Sequence, residues 1–450
     1  MTEKKLISKL SESIKKSTDI KKNLFSEMSV KRGLRNEDGS GVLAGLTRVG
    51  DVQGYEKTPE GLKAIPGKLY YRGIDVDDLV NGIQKENRLG FEETAFLLLS
   101  GMLPTEEELE IFRKLIMKTM PLDHRTTMNI LALQGGNVMN ILARSVLELY
   151  NYDENPDDIS KDNLIRQSIN LIAKFPTIIA YAYNVLRHDQ QSRSLHVRHP
   201  YEDRSVAENF LFMMKGRDNY TELEVQILDL ALILHADHGG GNNSTFSVRV
   251  TSSSETDTYS AIAAGIGSLK GPLHGGANIK VKGMMDDLKK NVKDWNDVEQ
   301  VDDYLLRVLK KEANDKTGLI YGIGHAVYTV SDPRAVLLKK MARDLAVEKG
   351  REEEFSLMEL VEGRAVKTFM AFKGKDAKQT CINVDFYSGF VYDAIGLPEE
   401  VFTPLFAMAR IVGWTAHRIE ELNVSSKRII RPAYRNVRER QSFVPMKDRK

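Results

Sequence analysis

A mainly α-helical chain is predicted by two recurring observations and one absence. Apolar residues return at spacings of three and four in segment after segment, and those segments open on threonine caps and close on glycine or proline. Strand-type alternation is sparse, and no strand–helix–strand rhythm appears in the 450 residues.

The elements follow in order. The N-terminal MTEKKLISKLSESIKKSTDIKK is rich in lysine but holds acidic residues and no arginine. Import presequences are arginine-rich and poor in acid, so this stretch reads as a solvated amphipathic helix. Residues 30–80 are rich in glycine, and GKLYYRGIDVDDL alternates briefly, as loops and small strands would. In FEETAFLLLSG the apolar residues keep helical spacing, Gly101 caps the end and Pro104 blocks continuation. Thr105 and Glu108 form a capping box for the next helix, with Leu109, Phe112, Leu115 and Ile116 on one face. Thr221 and Glu224 repeat that grammar, and the stripe Leu223, Ile227, Leu230, Leu234, His235 runs on toward Gly239-Gly240-Gly241, where the helix should stop. Segments 206–215, 300–313, 335–349, 356–371 and 400–421 also read as helices.

Composition narrows the function classes. With 42% hydrophobic and 28% charged residues the chain carries enough apolar mass for a large core. Lys and Arg number 64 against 63 Asp and Glu, a balance that does not favour nucleic acid or an anionic membrane surface as partner. Cys381 is the single cysteine, so no internal disulfide forms, which fits a reducing cytoplasm. No stretch is read as approaching the ~20 apolar residues of a transmembrane helix.

Nine histidines are present, and four stand in unusual surroundings. His235 and His238 lie in HADHGGGNN, His274 in GPLHGGAN, and His325 in GIGHAVYTVSDPR, nine positions before Arg334. Glycine beside a polar side chain lets a ligand approach and exposes amide N–H groups. One such histidine reads as a satisfied core residue, whereas Gly-flanked histidines at three places point to a site. His235 and His238, three apart on the predicted helix, would share a face and suit a metal-dependent hydrolase. No third ligand stands at suggestive spacing and HExxH and CxxC are lacking, so no metal is expected. AGIGSLKG lacks the GxGxxG spacing and a preceding strand, and is not read as a dinucleotide loop. Asp385, in CINVDFYSGF, is an acid within an apolar and aromatic stretch. Its burial is costly unless it is paired, caps a helix or is functional, and desolvation there would make it a better base.

HADHGGGNN, GPLHGGAN, GIGHAVYTVSDPR, NVDFYSG and ARIVGW, in this order, resemble the signature segments of citrate synthases. The likeness extends from LYYRGIDVDDL and FLLLSGMLPT through FPTIIAYAY to RPAYR, although Asn137 stands where many relatives carry histidine. The resemblance implies a two-domain, mainly α homodimer. Residues 1–279 and 386–450 would form the large helical domain and 280–385 a smaller one closing over CoA. It implies condensation of acetyl-CoA with oxaloacetate and water to citrate and CoA, the first step of the tricarboxylic acid cycle, with the thioester as substrate and no cofactor. By the same resemblance His274 bonds the thioester oxygen, Asp385 takes the methyl proton, and His325 protonates the oxaloacetate carbonyl. His238 is a further oxaloacetate contact, Arg334 and Arg410 hold its carboxylates, and Arg431 is supplied by the other subunit.

Elementary chemistry agrees with that assignment. A thioester methyl is a very weak acid, so a carboxylate base and an oxygen-directed donor must act together. A dianionic oxo-acid suits the planar, permanently charged fork of arginine. Within the family the alternative is 2-methylcitrate synthase, which uses propionyl-CoA; one methylene shifts selectivity by only ~1–3 kcal/mol. Outside it stand the hydrolase at His235 and His238 and a non-catalytic homologue, the latter disfavoured by the intact set His274, His325 and Asp385.

Overall fold

Caps written in the sequence open the helices of the computed structural model, which describes residues 1–36, 40–59, 61–133, 135–374 and 379–449. The Thr105 side chain accepts from the Glu108 N–H at 3.2 Å and Glu108 returns to the Thr105 N–H at 2.8 Å, starting Glu106–Thr119. Phe112 and Ile116 are buried as the spacing predicts, but Leu115 is exposed. The buried stripe runs through Phe112, Ile116, Met117 and Met120, and at 100° per residue Leu115 falls off its edge. Gly101, in the left-handed region at φ 87°, closes Phe91–Ser100 with its N–H on the Leu97 carbonyl.

Two expectations about the helix Glu222–His235 need correction. Thr221 caps it, but Glu224 does not complete a capping box. Its buried carboxylate lies instead between Lys215 and Lys349, at 2.7 and 2.6 Å, where two ammonium groups offset its desolvation. The helix also ends at His235, before the glycines. The Asp237 N–H goes to the Tyr71 hydroxyl at 3.3 Å rather than to a helical carbonyl, so His238 lies beyond the helix and shares no helical face with His235.

The chain divides into two units, Met1–Ala44 with Ile430–Lys450, and Gly45–Ile429. The first holds the amphipathic helix Glu3–Ser17, whose Leu6, Ile7, Leu10 and Ile14 are exposed, and a C-terminal stretch that includes the exposed Arg431. In the second, β1 (Gly50–Thr58), β2 (Gly61–Tyr71) and β3 (Ile74–Asp75) form an antiparallel sheet in sequence order, with Gly50 opposite Tyr71. The described remainder of this unit is overwhelmingly helical, as predicted.

The helix Phe402–Asn423 runs through the core, buried from Phe402 to Arg418, and packs on Lys161–Gln191, Asn243–Ser252, Glu222–His235 and Thr258–Lys270. AGIGSLKG is the end of Thr258–Lys270, not a loop. Lys161–Gln191 corrects the reading that no stretch has membrane-spanning length and apolarity: by those measures it qualifies. However, 78% of its most apolar window is buried inside the protein, which marks it as a core helix.

Tyr71 ties the sheet to the end of Glu222–His235. Its hydroxyl donates to the Ile233 carbonyl at 2.8 Å while accepting from Asp237 N–H. Tyr71→Phe strands the Asp237 N–H in the core, while the Ile233 carbonyl keeps the Ala236 N–H, a loss of about 1–3 kcal/mol. The urea midpoint should fall accordingly, and an unchanged midpoint would show that other groups take over.

Candidate active site

One face of Phe402–Asn423 organises the segment 235–244. Arg410 Nε donates to the His235 carbonyl at 2.7 Å, and Gly413 N–H to the Ala236 carbonyl at 3.0 Å. Trp414 Nε1 donates to Ser244 Oγ at 3.1 Å, and His417 Nε2 meets Asp237 Oδ1 at 3.1 Å. Residues 410, 413, 414 and 417 form one helical stripe. Ser244 passes the constraint on: its N–H donates to His274 Nε2 at 3.3 Å, and its hydroxyl lies 3.1 Å from the same nitrogen. A backbone N–H only donates, so Nε2 is an acceptor and the His274 ring proton sits on Nδ1.

A second group of residues is held by backbone pairing. Gly324 N–H donates to the Cys381 carbonyl at 2.8 Å and Asn383 N–H to the Gly322 carbonyl at 2.9 Å, a short bridge centred on Ile323 and Ile382. It sets His325 on one side and Asp385, the first residue of Asp385–Ala394, just beyond the other. His325 Nδ1 accepts from the N–H groups of Val327 and Tyr328, at 3.1 and 3.0 Å, which places its ring proton on Nε2. Tyr328 stacks on the imidazole with centroids 4.5 Å apart. Asp332 grips Arg334 through Nε and Nη2 at 3.0 and 2.7 Å, and its Oδ2 also accepts from Val384 N–H at 3.2 Å.

The two groups meet where the His238 and His325 rings stand 5.0 Å apart. Phe406 closes the other side, 4.6 Å from the His235 ring, 6.5 Å from His274 and 4.7 Å from the Arg410 guanidinium carbon. The structure thus gathers His238, His274, His325, Arg334, Arg410 and Asp385, which lie far apart in sequence. Arg431 belongs to the other unit.

Burial and positive charge set the protonation states. Desolvation, reinforced by Arg410, pulls His274 down to about 4. Burial, then Arg334 and His325, holds His238 well below the usual imidazole range. Both rings are neutral near pH 7. Burial pushes the Asp385 carboxyl up to about 6, although Arg334 pulls the other way. Burial lowers Arg410 to about 10, still charged. Its Nη1 and Nη2 are buried without a protein partner, as is His238 Nε2. Such orphan donors are rare in native cores, and two on one guanidinium fit the two oxygens of a carboxylate.

His235, whose Nδ1 donates to the Ala231 carbonyl at 2.7 Å, is a poor metal ligand here because its ring is sealed at 1% exposure. Among the described residues no three His, Cys, Asp or Glu side chains are grouped to hold a metal ion. Sequence reasoning missed Asp332, Phe406, Ser244 and the pair Asp237 and His417. Asp332 carried a signal, an aspartate before proline at a helix start. Phe406 carried a weaker one, four residues before Arg410 on the same helix face. Ser244 and His417 carried none, since their partners are remote in sequence.

Neutral histidines, an orphan arginine fork and a carboxyl raised to about 6 fit an enzyme that takes a proton from carbon beside a carbonyl and holds an anionic co-substrate, as a transferase of the condensing type does. The family model described as citrate synthase, C-terminal domain, matches residues 38–433. The citrate synthase of Synechocystis is 34% identical over 91% of this chain and 93% of its own length. The 2-methylcitrate synthase 1 of Corynebacterium glutamicum is 33% identical over 94% of this chain and 100% of its own. The Thermoplasma acidophilum citrate synthase, solved as a ternary complex with carboxymethyl coenzyme A and oxaloacetate, superposes with a TM-score of 0.76 at 27% identity, covering 93% of this chain and 99% of that one. The chain belongs to the citrate synthase family.

Asp385 gives a pH prediction. Turnover should rise with pH through about 6 as the base ionises. Stability runs the opposite way: a carboxyl whose pKa rises on folding favours the native state at low pH, and that contribution is lost as pH climbs through about 6. Asp385→Asn, uncharged throughout, should lose nearly all turnover while melting no lower than wild type at about pH 8. A pH–rate profile flat across this range would remove Asp385 from the role of titrating base.

Proposed function

We propose that this enzyme condenses acetyl-CoA with oxaloacetate, releasing citrate and CoA after hydrolysis of the thioester. The observation that carries the reading is the opposite tautomers of two neutral histidines around one basic carboxyl. His274, with its proton on Nδ1, donates to the thioester oxygen while the Asp385 carboxylate removes a proton from the methyl carbon. The resulting enolate carbon attacks the oxaloacetate carbonyl carbon. The carbonyl oxygen takes its proton from His325 Nε2, and water then cleaves the thioester. Arg410, with two unpaired Nη groups, holds one substrate carboxylate; Arg334 and His238 complete the oxaloacetate contacts. The CoA thioester is a substrate, and these steps call on no separate cofactor.

The direct test is the rate of CoA release from acetyl-CoA and from propionyl-CoA, each with oxaloacetate. Acetyl-CoA should be preferred by roughly tenfold or more, the range one methylene allows. Preference for propionyl-CoA would make this a 2-methylcitrate synthase, and no release from either would overturn the proposal.

The assembly belongs to the same reading. Residues 280–385 form a smaller domain that closes over CoA, and two chains associate as a cytoplasmic homodimer in which Arg431 reaches the partner's oxaloacetate. RIIRPAYR, resembling the tail of the family, motivates this. In a mixed dimer of Asp385→Ala and Arg431→Ala chains one site collects both changes and the other neither. Co-refolding the two inactive variants should restore roughly a quarter of wild-type activity, since random pairing makes about half the dimers mixed. Mixed dimers that form yet stay inactive would refute the shared site.

A further inference from the structure

Asp237 carries no role in the chemistry above, yet the fold is built tightly around it. Its carboxylate is fully buried between the start of β1 and Phe402–Asn423. A Cβ on Gly50 would overlap its Oδ2, and one on Gly413 would stand 2.6 Å from its Oδ1, so both close approaches require glycine. Oδ2 accepts from Gly239 N–H at 2.9 Å, and Oδ1 faces His417 Nε2 at 3.1 Å. His417 is itself held by Arg249, whose Nη1 lies 2.9 Å from Nδ1. Arginine only donates, so Nδ1 accepts and the ring proton points at Asp237. Arg249 is in turn anchored on Glu420 and Glu421, at 2.8 and 2.9 Å. A chain of charge-assisted bonds therefore runs from near the protein surface to the residue beside His238. The positive charge of Arg410 also favours the Asp237 carboxylate, which in turn helps to keep Arg410 charged.

We propose that Asp237 and His417, braced by Arg249, are positioning residues for oxaloacetate, acting through the placement of His238 and through the charge of Arg410. Neither touches the reacting atoms. The acyl-CoA side of the site, at His274, is held by Ser244 and Trp414 instead, so the two substrates should respond differently when the pair is broken. The proposal rests on the oxaloacetate reading only for its choice of ligand.

Two substitutions at one position separate positioning from general damage. In His417→Gln the side-chain amide reaches as far as Nε2, so the bond to Asp237 survives. In His417→Asn the amide reaches only as far as Nδ1, so the link to Arg249 survives and the link to Asp237 is lost. Both keep a polar group, and both are checked for wild-type circular dichroism. Oxaloacetate affinity by calorimetry should weaken roughly tenfold in His417→Asn, the loss expected for one charge-assisted bond, and by no more than about threefold in His417→Gln. The KM for acetyl-CoA at saturating oxaloacetate should stay within about twofold in both. Wild-type oxaloacetate affinity in His417→Asn, or equal losses for both substrates in both variants, overturns the proposal. Should His417→Asn fail to fold, Asp237→Asn removes the charge from the same link at its other end, and unchanged oxaloacetate affinity there is equally fatal. Failure of the wild-type enzyme to bind oxaloacetate would instead sink the functional reading and leave the geometry standing.

Discussion

The face of Phe402–Asn423 that carries Arg410, Gly413, Trp414 and His417 is the constraint on which the site depends. A segment with three successive glycines has little conformational preference of its own. Here its carbonyls and side chains are matched, one after another, to donors spaced along a rigid helix. The helix is buried along most of its length, so the template cannot shift without disturbing the core around Trp414 and Phe406. Precision at His238 and His274 is therefore inherited from packing some distance from the chemistry.

The electrostatics follow from the same burial. Imidazoles taken out of water beside two arginines lose their protons, and a carboxyl taken out of water keeps its own. One desolvation effect yields both neutral donors and a strong base without a separate device for each. The cost falls on Arg410, whose terminal nitrogens have no protein partner. Unpaired buried donors destabilise a fold by about 1–3 kcal/mol each, so in the proposed function the free enzyme stores part of the free energy that binding a substrate carboxylate would release.

Much of the fold was legible because caps, glycine stops and apolar periodicity are local. The helix beginning at Thr105 shows how far that goes, and Glu224 shows where it ends. Its role was decided by Lys215 and Lys349, neither of which the local pattern could see. The early end of Glu222–His235 has the same origin, because Tyr71 captures an N–H that local spacing assigned to the helix. Within the site, residues beside glycine were conspicuous and were found. Supporting residues such as Ser244, Asp237 and His417 were not, since their meaning lies in partners 30 and 180 positions away. Arg334 was found for its charge, but its bidentate grip by Asp332 was not anticipated.

The short bridge between Gly322–Gly324 and Cys381–Asn383 has a consequence for how the enzyme can be altered. His325 and Asp385 hang from opposite strands of the same backbone pairing, with Asp332 clasping the chain between them. Their separation is therefore set by main-chain geometry, which no side-chain replacement nearby can dial continuously. On the mechanism proposed above, His325 and Asp385 behave as one cassette: a mutation that loosens the bridge degrades both together, and selection for a new acyl donor must leave it intact. Adaptable positions should lie on the opposite wall, around Phe406, whose ring meets His274 by side-chain contact.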